Sequence, residues 1–215
     1  MSITGIIYIP MRVGLVATSR SGSTLFRSYA CNMLGLLDSG SWLKHNSYVD
    51  IDNEDFAKND HLLKILPHYI SDSPEDVHEV TKNFTSVWLH REDIVAQFLS
   101  HIARLRTGVN HVYKVEDKPQ IENLSIEATR EEFDRFKGKL DCFWNLYHTY
   151  HQGEPLISLE YFLANPSDNL AKLANFFDIN SNQVVNIPVP VELGVSYSDK
   201  FKNYDEIVEW FQKYE

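Results

Sequence analysis

One short stretch concentrates chemistry-bearing residue types in this 215-residue chain. It runs Ala17-Thr18-Ser19-Arg20-Ser21-Gly22-Ser23-Thr24, where an apolar strand-like run gives way to helical spacing. A helix start at that point offers free backbone amides and the positive end of aligned peptide dipoles. Gly22 lets the backbone approach an anion closely. Ser21, Ser23 and Thr24 add hydroxyl donors, and Arg20 adds a charged fork of N–H groups. Such a turn can grip a phosphate. It differs from the nucleotide-triphosphate loop G-x-x-x-x-G-K-[ST], because Ala17 stands at the first glycine and Ser23 at the lysine. The lysine-plus-hydroxyl arrangement that helps hold magnesium is missing, so no metal is expected. A merely polar strand-to-helix turn would use some of the same residue types.

A second constellation begins at Arg91. In Arg91-Glu92-Asp93-Ile94-Val95-Ala96-Gln97-Phe98-Leu99-Ser100, helical spacing puts Asp93, Gln97, Ser100 and Arg104 on one face. Ile94, Val95, Phe98, Leu99 and Ile102 fall opposite. Arg91 lies at a strand end, the side on which open α/β sheets bind ligands. An arginine and a serine there can hold a second phosphate, although a solvated polar helix face has the same pattern. Two further groups follow the second strand-like run: Lys64, able to reach a transferred group, and His68, whose ordinary pKa near 6.5 suits a general base. His45 is the second choice for the base.

The elements that must carry these groups are legible as alternating strands and helices. Apolar runs at 12–17, 62–66, 84–89 and 156–159 read as strands. Helical spacing covers 23–37, part of 70–83, and about 92–107, 127–151, 166–177 and 204–214. Asn165 and Pro166 mark a helix start. Residues 4–9 read as an extra edge strand, and 38–61 and 108–126 as irregular excursions that shape a pocket. This alternation predicts an α/β fold: a mostly parallel central sheet covered by helices on both faces, in one domain over 1–215.

Composition narrows the function. With 30 acidic and 20 basic residues the net charge is -10, which argues against a general nucleic-acid binder but allows one basic pocket. Cys31 and Cys142 are the only cysteines and have no paired spacing, so neither a disulfide scaffold nor a cysteine zinc site is expected. No apolar run reaches 18 residues, so no membrane span is expected. The N-terminal apolar stretch is broken by Pro10, Met11 and Arg12 and reads as mature, cytoplasmic protein rather than a signal peptide.

On these motifs the chain resembles the sulfotransferases that use 3'-phosphoadenosine 5'-phosphosulfate (PAPS). Arg20-Ser21-Gly22-Ser23-Thr24 is similar to their 5'-phosphosulfate loop. Arg91 through Ser100 resembles their 3'-phosphate motif, in the R-x-D-x-x-x-Q-x-x-S form of trehalose-type bacterial members. Leu159-Glu160-Tyr161-Phe162-Leu163 with Pro166, Leu170, Leu173 and Phe176-Phe177 resembles a structural segment of the same family. The order and spacing of these matches are shared over residues 12–178.

The resemblance implies a P-loop-like fold and transfer of a sulfuryl group from PAPS to a hydroxyl or amine acceptor, leaving 3'-phosphoadenosine 5'-phosphate (PAP). The acceptor would be a small molecule or a carbohydrate. Donor contacts fall on Arg20, Ser21, Gly22, Ser23, Thr24, Leu25, Arg91 and Ser100, and catalytic roles on His68, Lys64 and Arg20. Departures are visible. The histidine that many cytosolic members place after Lys-Thr is shifted by two positions, to His68. The glutamate of trehalose-type members has no clear match among His45, Asp50, Asp52 and Glu54. The C-terminal Arg-Lys-Gly segment of cytosolic members is replaced by Ser198-Asp199-Lys200-Phe201-Lys202. Two other readings stay open: an ATP- or GTP-dependent small-molecule kinase, and a catalytically inactive nucleotide-binding domain.

Overall fold

The apolar runs become strands because their residues can be buried on both faces. In the computed structural model, which describes residues 11–41, 60–108, 125–178 and 197–214, five strands form one sheet. They are β1 (Arg12–Ala17), β2 (Leu37–Ser41), β3 (His61–Ile65), β4 (Thr85–His90) and β5 (Leu156–Ser158). The spatial order is β2-β3-β1-β4-β5, and every pairing is parallel. The helices are α1 (Ser23–Leu34), α2 (Pro74–Thr81), α3 (Ile94–Thr107), α4 (Arg130–Tyr150), α5 (Leu159–Ala164), α6 (Pro166–Phe176) and α7 (Tyr204–Gln212). A short 3-10 turn, Pro67–Tyr69, follows β3.

Strand alternation sorts side chains to two layers. Val13, Leu15, Ala17, Leu62, Val87 and Leu89 face Phe26, Tyr29, Leu34, Phe162 and Leu170 of α1, α5 and α6. Val16, Leu63, Ile65 and Trp88 face Val77 and Val80 of α2, and Phe143, Leu146 and Tyr147 of α4. Each fully buried side chain of this size contributes about 1.5–3 kcal/mol, so the two layers together anchor the sheet. A third cluster joins helices alone: Phe98, Leu99 and Ile102 of α3 pack with Phe133 and Phe136 of α4 and Trp210 and Phe211 of α7. That cluster ties α3 to α4, and both helices matter for the site.

The topology locates a crevice. The chain leaves β1 toward β2 on one side of the sheet and leaves β4 toward β5 on the other. Adjacent strands whose connections diverge open a gap at their C-terminal ends, where ligands of such sheets bind. The Arg20 turn follows β1, and Arg91 follows β4.

Several boundaries differ from the sequence reading: β3 and β4 are each displaced by one residue, and three differences are larger or have a clear cause. The helix expected over 23–37 stops at Leu34, because Gly35 takes a positive φ of 68° and terminates it. Leu37–Ser41 then pairs with β3 as an edge strand, where an irregular excursion was expected from residue 38. The strand expected over 156–159 ends at Ser158, whose hydroxyl accepts from the Tyr161 amide at 3.1 Å and starts α5. The expected edge strand at 4–9 and most of the two excursions lie outside the described residues.

Candidate functional site

Geometry at the end of β1 is set by backbone more than by side chains. Arg20 has a positive φ of 64°, unusual for a residue with a side chain, and Gly22 has φ 77°. The turn closes on itself: Ser21 Oγ donates to the Thr18 carbonyl at 2.9 Å. Gly22 then starts α1 with no side-chain cap, and its carbonyl accepts from the Phe26 amide at 3.0 Å. A β-carbon on Gly22 would lie 2.4 Å from Leu159 Cδ1, so only glycine fits here. Ser23 is buried at the first helical position, with Thr24 and Leu25 half-buried beside it.

Helix α3 props this turn. Asp93 caps the helix by accepting from the Ala96 amide at 2.8 Å. Gln97, fully buried, donates from Nε2 to Thr18 Oγ1 and to the Ser19 carbonyl, both at 2.7 Å. One turn on, Ser100 Oγ accepts from Arg20 Nε at 2.9 Å. Gln97 and Ser100, the middle of the polar face read from the sequence, are therefore buried and clamp the loop. Ser100 thus meets Arg20 directly. Arg91 instead lies beside Glu160, with Nε 3.4 Å from Oε1. Glu160 accepts from the amides of Glu92 (2.9 Å) and Asp93 (3.4 Å), which fixes the turn that carries Arg91.

His68 is brought to the same loop. Its Nε2 lies 3.1 Å from Ser19 Oγ. Burial, then the charges of Lys139, His101 and Lys64, pushes its pKa down to about 3, so it is neutral at pH 7. Lys64 occupies an interior strand and is half-buried, not a water-facing edge residue. Burial and the guanidiniums of Arg27, Arg20 and Arg104 lower its pKa to about 8, against a small opposing effect of Asp38. Burial also lowers the pKa of Arg20, with Tyr197 acting the other way and Arg104 and Arg91 adding to the decrease.

Sequence reading did not place several other groups here. His101 is buried beside Phe136 (ring centroids 5.7 Å apart), and burial with Lys139, Arg104 and Arg20 lowers its pKa to about 4. Lys139 reaches this group from α4. Tyr197 reaches Arg20 from the segment before α7, where Phe201 bridges to Ile126. Gln97 and Arg104 had a signal in the helical face shared with Ser100. His101, Lys139 and Tyr197 had none, because only tertiary packing brings them in. His45, Asp50, Asp52 and Glu54 lie outside the described residues.

The site is cationic and under-satisfied. Among the described residues, six buried side-chain polar atoms make no hydrogen bond. Four of them are here: His68 Nδ1, His101 Nδ1, Gln97 Oε1 and Arg91 Nε. Orphaned buried groups are rare in folded proteins, and their concentration at one place fits a ligand site. No cluster of three or more His, Cys, Asp or Glu side chains able to share a metal ion occurs among the described residues. No helix among them is long and apolar enough to cross a membrane.

Comparison with known proteins adds the fold. No protein-family profile matches the chain, and no curated protein matches it in sequence. Solved structures do match. A sulfotransferase domain from the curacin biosynthetic pathway superposes with a TM-score of 0.52 at 13% identity, covering 95% of this chain and 98% of that one. A sulfotransferase from Alicyclobacillus acidocaldarius gives a TM-score of 0.45 at 9% identity, with coverages of 95% and 96%. At such identity the first likeness is one of fold, and the fold is the α/β arrangement expected from the sequence.

Proposed function

We propose that this chain is a PAPS-dependent sulfotransferase acting on a hydroxyl or amine acceptor. The observation that carries the reading is the gathering of Arg20, Lys64 and Arg91 around the start of α1, which has no side-chain cap, in a chain with a net charge of -10. A protein with surplus acid that concentrates cations at a sheet switch point is built to receive an anion there. The sequence resemblance and the fold likeness together favour an anion with phosphates at both ends of an adenosine.

In the transfer, the acceptor atom attacks sulfur while the sulfur–oxygen bond to the 5'-phosphate breaks. PAP departs with that electron pair, and the acceptor proton passes to a base. Arg20 and the amides of 21–24 would meet the 5'-phosphate, where charge develops on the leaving side. Arg91, oriented by Glu160, would meet the 3'-phosphate. Ser100 would act on the donor through Arg20, whose guanidinium it holds. Lys64, still mostly protonated at pH 7 with a pKa of about 8, would face the sulfuryl group. His68 is neutral and able to accept the acceptor proton, and negative charge bound beside it would strengthen it as a base.

Calorimetric titration with PAP and with AMP, each in chelator and in magnesium, tests this. A charge-assisted 3'-phosphate contact with a hydrogen bond is worth about 2–4 kcal/mol, so PAP should bind roughly 30- to 1,000-fold tighter than AMP. Magnesium should change neither value appreciably. Equal affinities for the two nucleotides, or a strict magnesium requirement, would overturn the proposal.

A further inference from the structure

The donor does not account for all the cations in this site. Arg104 lies one helical turn beyond Ser100 on α3, and Lys139 lies on α4, three residues after Phe136, whose ring meets His101. The third hydrophobic cluster packs these two helices together, and the 3-10 turn bearing His68 also rests on α4. Arg104 and Lys139 therefore flank His101 and His68. Both cations are half-buried, and neither makes a side-chain hydrogen bond or ion pair among the described residues.

Several cations elsewhere are paired even where the pairing is worth little. Arg27 has Asp38, Arg106 has Glu132, Arg130 has Asp134, Arg135 has Glu131, and Lys213 has Glu209. Carboxylates are in excess overall, yet among the described residues none pairs with Arg104 or Lys139. Instead Arg104 acts on Lys64, Arg20 and His101, and Lys139 on His68 and His101; burial, then Arg135 and Arg104, lowers the pKa of Lys139 itself. Like charges held together in a half-buried site raise the free energy of the empty protein. A bound anion relieves that repulsion. Arg20, Lys64 and Arg91 already face the charges that the donor carries, so the remaining pair calls for a second anion.

We propose that the acceptor is itself an anion, a hydroxyl or amine compound bearing a carboxylate, phosphate or sulfate group that Arg104 and Lys139 bind beside His68. This inference rests on the sulfotransferase reading. It names the acceptor class that the reading leaves open. It also gives His68 a means of activation: burial does most to keep its imidazole neutral, and an anion beside Lys139 would offset the charge that adds to that effect.

The test uses wild-type protein saturated with PAP, so that the donor's phosphate sites are filled, and titrates inorganic phosphate as the probe in a phosphate-free buffer. The ring Cε1–H signals of His68 and His101 in carbon–proton NMR report occupancy. Phosphate should move both signals in the wild type. Arg104→Gln and Lys139→Gln should each weaken that binding about 10-fold or more, as expected for loss of one charge-assisted contact. Lys139→Arg should retain it. PAP affinity, measured on the same variants, should stay within about 2-fold of wild type. If the Gln variants bind phosphate as well as wild type does, or if no histidine signal moves, the inference is overturned. If they lose PAP about 10-fold instead, the two cations belong to the donor, which overturns the inference and leaves the donor reading standing. If wild-type protein does not bind PAP at all, the sulfotransferase reading itself falls.

Discussion

Replacing Gln97 by Met separates a support for the loop from a contact to the ligand. Methionine keeps the length and approximate volume of the side chain but removes both donors. The partly buried Ser19 carbonyl and the buried Thr18 hydroxyl then lose partners that each stand at 2.7 Å. An unmade hydrogen bond at a buried group costs about 1–3 kcal/mol, so two give about 2–6 kcal/mol. Part of this is recovered, because Gln97 Oε1 is itself unpaired among the described residues and disappears with the substitution. A net loss of about 2–4 kcal/mol follows. If the loss is global, a chain of this size should melt about 4–16 °C lower. If it is local, the turn at 18–22 opens while the core stays closed. Hydrogen exchange of those amides then accelerates, and PAP affinity falls roughly 30-fold or more, as the competent fraction shrinks. Thermal melting, exchange at 18–22 and PAP calorimetry on one preparation distinguish the two cases. Melting within about 1 °C of wild type, with unchanged exchange and PAP affinity, would refute the claim that Gln97 holds the loop.

Other perturbations follow from the same geometry. Gly22→Ala combines a left-handed backbone cost of about 1–2 kcal/mol with a clash against Leu159, so it should destabilise by about 2–4 kcal/mol; in the Leu159→Ala background the cost should shrink, and additive losses in denaturant melts would contradict the clash. Arg20→Ala should reduce PAP affinity roughly 10- to 150-fold, from one lost charge-assisted contact, and should lower turnover at saturating donor; full turnover at saturation would confine Arg20 to binding. His68→Ala should slow transfer about 10²–10⁴-fold with little change in PAP affinity, and a near-wild-type rate on any accepted substrate would remove it as the base. Stability should also depend on acid. His68 and His101 are held neutral in the fold, with pKa values near 3 and 4 against an ordinary 6.5. The unfolded chain therefore binds more protons below pH 6.5, and stability present above that pH is lost as pH falls toward 4. His101→Phe should flatten the melting temperature between pH 7 and 5; an unchanged slope would show that His101 takes no part.

How much was readable depended on where the information sits along the chain. The turn at 18–24 is a contiguous motif. The binding proposed for it falls on backbone amides, one glycine and one arginine within a few residues, so residue order alone exposes it. The face of α3 was readable for the same reason, because helical periodicity stacks Asp93, Gln97, Ser100 and Arg104 without help from the rest of the fold. Its partners were not. Ser100 could as well have met Arg91, and the choice of Arg20 depends on how the crossing of α3 over the β1 turn places the two side chains. The edge strand at Leu37–Ser41 escaped notice because its few polar and small residues carry no strand period. It forms because β3 offers a free ladder of amides and carbonyls.

From the sequence alone came a parallel α/β sheet, a turn after its first strand with the residue types of a phosphate site, and the two arginines that flank the switch point. These follow from local periodicity and from the chemistry of neighbouring residues. The sequence also offered Lys64 and His68; tertiary structure alone decided that His68 meets Ser19 of that turn, that His101, Lys139 and Tyr197 act on the same group of charges, and that Gln97 clamps the turn. Residues from β3, α3, α4 and the approach to α7 share one small volume only because buried apolar clusters pull those elements together. The charges they carry were visible in the sequence, but the low-dielectric crowding that turns them into a site arises only when the chain is packed.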